Sequence, residues 1–212
     1  MPLDNYENLK ESIKRRSKRD DITDSDLVDY IVQCETEFYN NAISPLRVRS
    51  MEARATSTVS TSERFLALPD RFLFMRRLKL NDPYSGGPDT DIRYMSPEQM
   101  PLKNLTAIPI YFTVTSQIEF DSTPDQAYTV EMQYIQKLTP LSTANDTNAI
   151  LTDYPTVYLY GALWALFTEV QDYEVAADYY QKFINAIQGA NASDQAGRYG
   201  AAPVVRSEGY NP

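Results

Sequence analysis

Histidine is absent from the 212-residue chain, and cysteine occurs once, at Cys34. Without imidazole there is no Ser-His-Asp or Cys-His nucleophile pair, no His-ligated zinc and no imidazole general base. Carboxylate, lysine and tyrosine chemistry remain. The densest carboxylates are Asp20, Asp21, Asp24, Asp26 and Asp29. They lack the glycine and the closing glutamate that a calcium loop needs at its spacing, so helix capping and solvation account for them better. Asp121 and Asp125 flank a turn at the end of a strand-like run. Gly86-Gly87 has neither the lysine nor the following helix of a phosphate loop. Cys34 falls on an apolar face at helical spacing and reads as a small buried side chain. A carboxylate hydrolase would need two acids about 5–10 Å apart in a cleft, and no motif marks such a pair. The residues therefore give no catalytic, metal or cofactor site, and the chain reads as a non-enzyme.

Basic chemistry is concentrated in one place. Lys10, Lys14, Arg15, Arg16, Lys18 and Arg19 crowd ten residues that hold a single acid, Glu11. A basic helix can grip phosphates. Here, however, there are no aromatics for stacking on bases, and the chain is acidic overall. A solvated helix face, or a surface that meets an acidic neighbouring subunit or faces DNA, is what this stretch implies. Arg76, Arg77 and Lys79 add a second basic spot on a strand-like run.

The elements that would carry these residues follow from hydrophobic spacing. Residues 5–17 alternate Tyr6, Leu9 and Ile13 with the bases, which predicts an amphipathic helix. Thr23 followed by Asp26 marks a helix start. The helix then runs from 24 to about 43, ahead of Pro45. From 51 to 135 no 3.6-residue period persists. Short β-favouring runs appear instead at Ala53–Val59, Phe65–Leu68, Phe74–Leu80, Ile110–Thr115, Ile118–Phe120 and Tyr128–Ile135. Asn81–Asp91 reads as a loop, and Ser96-Pro97-Glu98-Gln99 as one helical turn capped by Ser96. Helices return at 155–170, starting from Asp153, and at 173–188, starting near Asp172. Their expected shared core is Tyr160, Gly161, Leu163, Trp164 and Phe167 against Ala177, Tyr180, Phe183 and Ile184. With only two or three residues between them they form an antiparallel hairpin, small residues meeting small residues. Gly161 costs about 1 kcal/mol relative to Ala inside a helix, so a close contact there needs the missing side chain.

Composition fits one soluble domain with a tail: 42% of residues are hydrophobic and 23% charged. The predicted fold is α+β and mainly helical. A bundle of the N- and C-terminal helices (1–190) carries a β-rich middle insertion, and 191–212 form an extended C-terminal arm rich in Gly, Ala, Asn and Ser. No apolar run approaches the ~20 residues of a membrane helix, and the first residues lack an export-signal layout. The net charge of -9 is uneven. Residues 1–80 hold 14 Lys/Arg against 13 Asp/Glu, while residues 81–212 hold 6 against 16. Such a polarity suits a molecule with two different faces toward partners.

Four stretches occur in a familiar order. The first is Leu27–Tyr39 followed by Leu46-Arg47, and the second is Leu66-Ala67-Leu68-Pro69-Asp70-Arg71-Phe72-Leu73. Pro109–Val114 with Tyr128–Tyr134 make the third. The fourth is Leu151-Thr152-Asp153-Tyr154-Pro155-Thr156-Val157-Tyr158-Leu159-Tyr160-Gly161-Ala162-Leu163 with the helix after it. Across roughly residues 5–190 the chain resembles the head-to-tail adaptor proteins of tailed bacteriophages, although that family often has an acid or alanine where Cys34 stands. The resemblance implies a structural virion protein, made in the host cytoplasm and placed at the head–tail junction. It implies a homo-oligomeric ring, usually of twelve copies, beneath the portal protein. The ring would join the portal to a tail or nozzle protein and let genome DNA pass without sequence-specific binding. No membrane and no cofactor are implied. Arg198, Tyr199, Val204, Val205, Arg206 and Tyr210 of the arm are the expected portal contacts, with Val204-Val205 as a candidate added strand. Another tail or nozzle component, or a small DNA-binding accessory module using Lys10–Arg19, are the alternatives.

Overall fold

A computed structural model describes residues 3–81, 90–101, 103 and 105–198. The chain divides into two compact units: Met1–Ser50 with Thr139–Pro212, and Met51–Leu138. The first is helical. Asn5 caps α1 (Tyr6–Ser17) by accepting the Asn8 amide. Thr23 and Asp26 form a reciprocal capping box at the start of α2 (Asp24–Asn40), which satisfies two otherwise orphaned amides. After α3 (Ala149–Asp153), Pro155 opens α4 (Pro155–Glu169), where a missing N–H costs nothing. The chain then reverses into α5 (Tyr173–Arg198). At that turn Gln171 takes φ 61°, and the amides of Gln171 and Asp172 return to the carbonyls of Thr168 and Phe167, the Schellman arrangement that uses up a helix's last acceptors.

Helix α4 is apolar around most of its circumference, because it is the hub: α1, α2, α3 and α5 all pack on it. Cys34 of α2 and Phe183 of α5 press on Gly161. A Cβ there would lie 2.2 Å from Cys34 Sγ and 2.9 Å from a Phe183 ring carbon. The close contact expected at Gly161 is thus real, but a thiol and a phenyl ring make it, not small residues across the hairpin.

The second unit is a seven-stranded mixed sheet. Its strands are β1 (Glu52–Val59), β2 (Phe65–Leu66), β3 (Phe72–Asn81), β4 (Thr90–Tyr94), β5 (Tyr111–Val114), β6 (Ile118–Phe120) and β7 (Tyr128–Gln136). They lie in the order β1-β7-β3-β4-β5-β6-β2, with β4 and β5 parallel and the other pairs antiparallel. β1 pairs with β7 along its whole length, from Glu52 opposite Ile135 to Val59 opposite Tyr128. Tyr128, Val130, Met132 and Tyr134 alternate into the core as their period of two predicts.

Several expectations need correction. The fold is not mainly helical: the seven-stranded sheet forms a unit of its own, and its strand β4 goes unread in the sequence because Thr90, Asp91 and Arg93 leave Ile92 and Tyr94 without a longer apolar pattern. Helix α5 runs ten residues past 188, so 191–198 are not extended arm. Their small polar residues look like a tail, but Asn191 grips the Pro45 carbonyl and the Arg47 amide, and Asp194 holds Arg49 and Arg198. Tertiary anchoring here overrides propensity. Ala177 is exposed and its neighbour Ala176 is the buried one. Asp153 ends α3 and does not cap α4, and Ser96 makes no capping hydrogen bond. Tyr199, Val204, Val205, Arg206 and Tyr210 lie outside the described residues, as do residues 82–89 of the Asn81–Asp91 loop.

Candidate functional site

The basic stretch separates into two sets once its surroundings are visible. Lys10 is buried, paired to Glu7 at 2.8 Å and lying over the Tyr6 ring. Lys14 pairs with Asp24 at 2.6 Å, and Arg19 grips Asp21 through two hydrogen bonds. Two members of the early aspartate cluster therefore serve as partners of the bases, and their carboxyls are held below the usual range by those hydrogen bonds. Arg15, Arg16 and Lys18 are exposed and form no ion pair among the described residues. They mark the C-terminal end of α1, where positive charge complements the helix dipole.

The second basic spot is neutralised. Arg76 pairs with Glu52 on the neighbouring part of the sheet, and Arg77 makes a two-pronged contact with Asp91. A depression of about 340 Å³ over β1, β7 and β3 is lined by Glu52, Arg54, Arg76 and Arg77 among others. Its three arginines each have a carboxylate partner, Arg54 in Glu131, Arg76 in Glu52 and Arg77 in Asp91.

Besides Asp194, two buried carboxylates were missed or set aside in the sequence reading, Glu35 in the helical unit and Asp121 in the sheet unit. In the helical unit Glu35 Oε1 accepts the Leu141 amide at 2.9 Å and the Tyr158 hydroxyl at 2.8 Å. Asn148 in turn donates to the Tyr158 oxygen at 2.6 Å. Burial pushes the Glu35 carboxyl up against the opposing pull of those two donors. Burial also pushes the Tyr158 phenol far up, with Glu35 adding to it. Cys34 is fully buried, and burial raises its thiol well above the ordinary range, so it is inert. In the sheet unit Asp121 Oδ1 accepts the amides of Ile110 and Tyr111, and Oδ2 accepts the Lys103 ammonium at 2.8 Å. That contact fastens the segment ahead of β5, which carries the exposed Leu105, Ile108 and Ile110. Nothing in the sequence around Asp121 distinguishes it from an ordinary turn residue.

Leu163, Phe183 and Ile184 are buried, Trp164 lies parallel to Phe183 at 6.2 Å, and Phe167 stacks on Tyr179 at 5.4 Å. Tyr160 contacts Tyr179, and Tyr180 contacts Trp164. These rings hold α4 to α5 and form no ligand cage. Among the described residues no group of three or more Cys, Asp or Glu side chains is arranged to hold a metal, and no helix is long and apolar enough to cross a membrane.

The described residues offer an unpaired basic helix end, a fastened apolar segment and a long helix anchored near its C-terminus. The family comparison agrees with that picture, because the model of the SU10 adaptor protein family matches residues 4–207, through both units. The chain belongs to the SU10 adaptor protein family. This bears out the resemblance to phage head-to-tail adaptors read from the four stretches. No curated protein matches the chain. For a phage adaptor, the residues to explain are those facing other protein subunits.

Proposed function

We propose that this SU10-family adaptor is a non-enzymatic virion protein that assembles as a ring beneath the portal, joins it to the tail or nozzle, and lets DNA pass through the centre. The family match over residues 4–207 is the observation that carries this reading. Support also comes from the unequal surfaces of the units. The helical unit has charged, unpaired helix ends, and the sheet unit presents Leu105, Ile108 and Ile110 on a segment held in place by Asp121. Half-exposed aliphatics on a fixed backbone lose little entropy on docking, as a protein–protein contact requires. The tail-side partner is assigned to this segment. The portal contact is assigned to the arm beyond α5: Tyr199, Val204, Val205, Arg206 and Tyr210, with Arg198 as the last helical residue at its root.

The test mixes the purified chain with its genome-matched portal ring and images the product. A second sample ends the chain after Arg198. Cutting earlier, inside 191–198, would remove the Asn191 and Asp194 anchors and confuse loss of docking with loss of fold. A ring of density at one end of the portal, lost on truncation, supports the ring and the arm together. Density that persists without residues 199–212 keeps the adaptor and moves the portal contact to the helices. Absence of density with the full chain overturns the portal reading.

A further inference from the structure

The three bases that pair with nothing in their own unit have counterparts of opposite sign across the same unit. Helix α5 begins with exposed acids: Asp172 and Glu174, preceded by Glu169 at the end of α4. None of the three forms an ion pair among the described residues. Tyr173, set between two of them, is 65% exposed, a large aromatic side chain left in water at the start of a helix. Such a ring amid carboxylates suits a guanidinium, which can pair with the acids and lie over the ring face.

The placement of the two clusters matters more than their charge. Helix α4 is the hub, with α1 and α5 each packed on it, while α1 and α5 share no comparable contact with each other. The basic end of α1 and the acidic start of α5 thus lie on different flanks. They lie at the same end of the unit, however. Lys14 ties the end of α1 to Asp24 at the start of α2, and α2 runs opposite to α4, with Cys34 against Gly161 and Phe38 against Tyr158, so the start of α2 lies toward the end of α4. In a ring, one flank of each copy must fit the other flank of the next, and rotation about the ring axis carries a patch round without shifting its height. Two opposite charges at one level on two flanks meet that condition for an axis running along the helices.

We infer that the α1 end carrying Arg15, Arg16 and Lys18 docks on the Glu169–Glu174 surface of a second copy of this chain, forming the contact between neighbours in the ring. The inference rests on the ring reading above and names its faces. Charge complementarity selects the occupant. Nucleic acid would satisfy the bases and leave the acids without a cation and Tyr173 in water, whereas a second copy satisfies both surfaces with one repeated contact. The contact is heterologous, so it propagates round a closed circle.

Two variants test it. One reverses the basic face (Arg15→Glu with Arg16→Glu). The other reverses the acidic face while keeping the helix cap (Glu169→Lys and Glu174→Lys with Asp172→Asn). Far-ultraviolet circular dichroism confirms that both fold. Assembly is then followed by mass measurement in solution and by imaging on portal rings, at low and high salt. Each variant alone is expected to weaken assembly at least tenfold, and an equimolar mixture of the two is expected to restore it, because each reversed face then meets its reversed partner. Added salt is expected to weaken the wild-type contact. Variants that assemble like the wild type, or a mixture that fails to recover, overturn the inference and leave the ring standing. Loss of binding to a random-sequence DNA duplex by the basic-face variant, with assembly intact, overturns it in favour of a DNA contact. A wild-type chain that forms no ring with or without portal removes the ring reading and this inference together.

Discussion

Glu35 and Asp121 are both buried carboxylates, one in each unit, and they are kept by different means. Glu35 sits among helices whose backbones satisfy themselves, so only its side chain needs partners. It finds neutral ones, the Tyr158 hydroxyl and the Leu141 amide. Asp121 sits beside a segment with little sheet pairing of its own. Its side chain takes two amides from that segment and a lysine ammonium, and its backbone receives the Lys103 amide and donates to Tyr111. A buried charge is expensive unless paired. At Glu35 that cost appears as a raised carboxyl pKa, whereas Asp121 has a cation beside it and uses the same carboxylate to complete a loop's hydrogen bonds.

The same isosteric change at both sites separates the two solutions. Asp121→Asn keeps an oxygen for the Ile110 and Tyr111 amides but turns an NH2 group toward the Lys103 ammonium. It is expected to cost about 3 kcal/mol, the lower end for a broken buried pair. The checks are urea denaturation and faster amide exchange at Ile110 and Tyr111. Next in size is Gly161→Ala in the helical unit, expected to cost about 2 kcal/mol through overpacking. Combining it with Cys34→Ala is expected to recover part of that loss, since the thiol is the nearest obstacle. Asp194→Ala is expected to cost about 1–2 kcal/mol and to strip exchange protection from residues 191–198 while sparing the first turns of α5.

Glu35→Gln should have the smallest effect, under about 1 kcal/mol, because one amide oxygen can accept both native donors. Its signature is pH. The folded carboxyl is raised above its ordinary value near 4.5, so the folded chain holds a proton that the unfolded chain has released. Stability from this group is full below that ordinary value and is lost as pH rises through the raised one. The wild type is therefore expected to lose ground to Glu35→Gln as pH climbs from 4.5 to 7, measured as the difference between urea midpoints. Equal costs for Asp121→Asn and Glu35→Gln, with no pH trend, would erase the distinction between the two sites.

Periodicity made α1, α2, α4 and the core-facing side of β7 legible, because each buries a regular set of apolar side chains. Gly161 was legible as a close approach, since a glycine inside a helix needs a reason. Its partners were not, because Cys34 and Phe183 come from distant parts of the chain. Residues 191–198 misled for a related reason: their composition is loop-like, and their order depends on the 45–49 segment. The basic run Lys10–Arg19 was visible, but its division into three matched and three unmatched charges depends on where Glu7, Asp21 and Asp24 fall. Asp121 carried no local signal at all.

The pairing of β1 with β7 has one more consequence. The chain enters the sheet at Glu52 and leaves it beside Ile135, directly opposite, so the two ends are about 5 Å apart. To the helices, everything between is a loop whose closure cost grows only by about 0.6 kcal/mol for each doubling of length. What must be preserved is the spacing of two strand ends, not the content between them. The sheet is in that sense a cassette. Strands and exposed segments within it can be lengthened, shortened or exchanged without renegotiating the packing around Gly161, which leaves one half of the chain free to follow a changing partner while the other keeps its own.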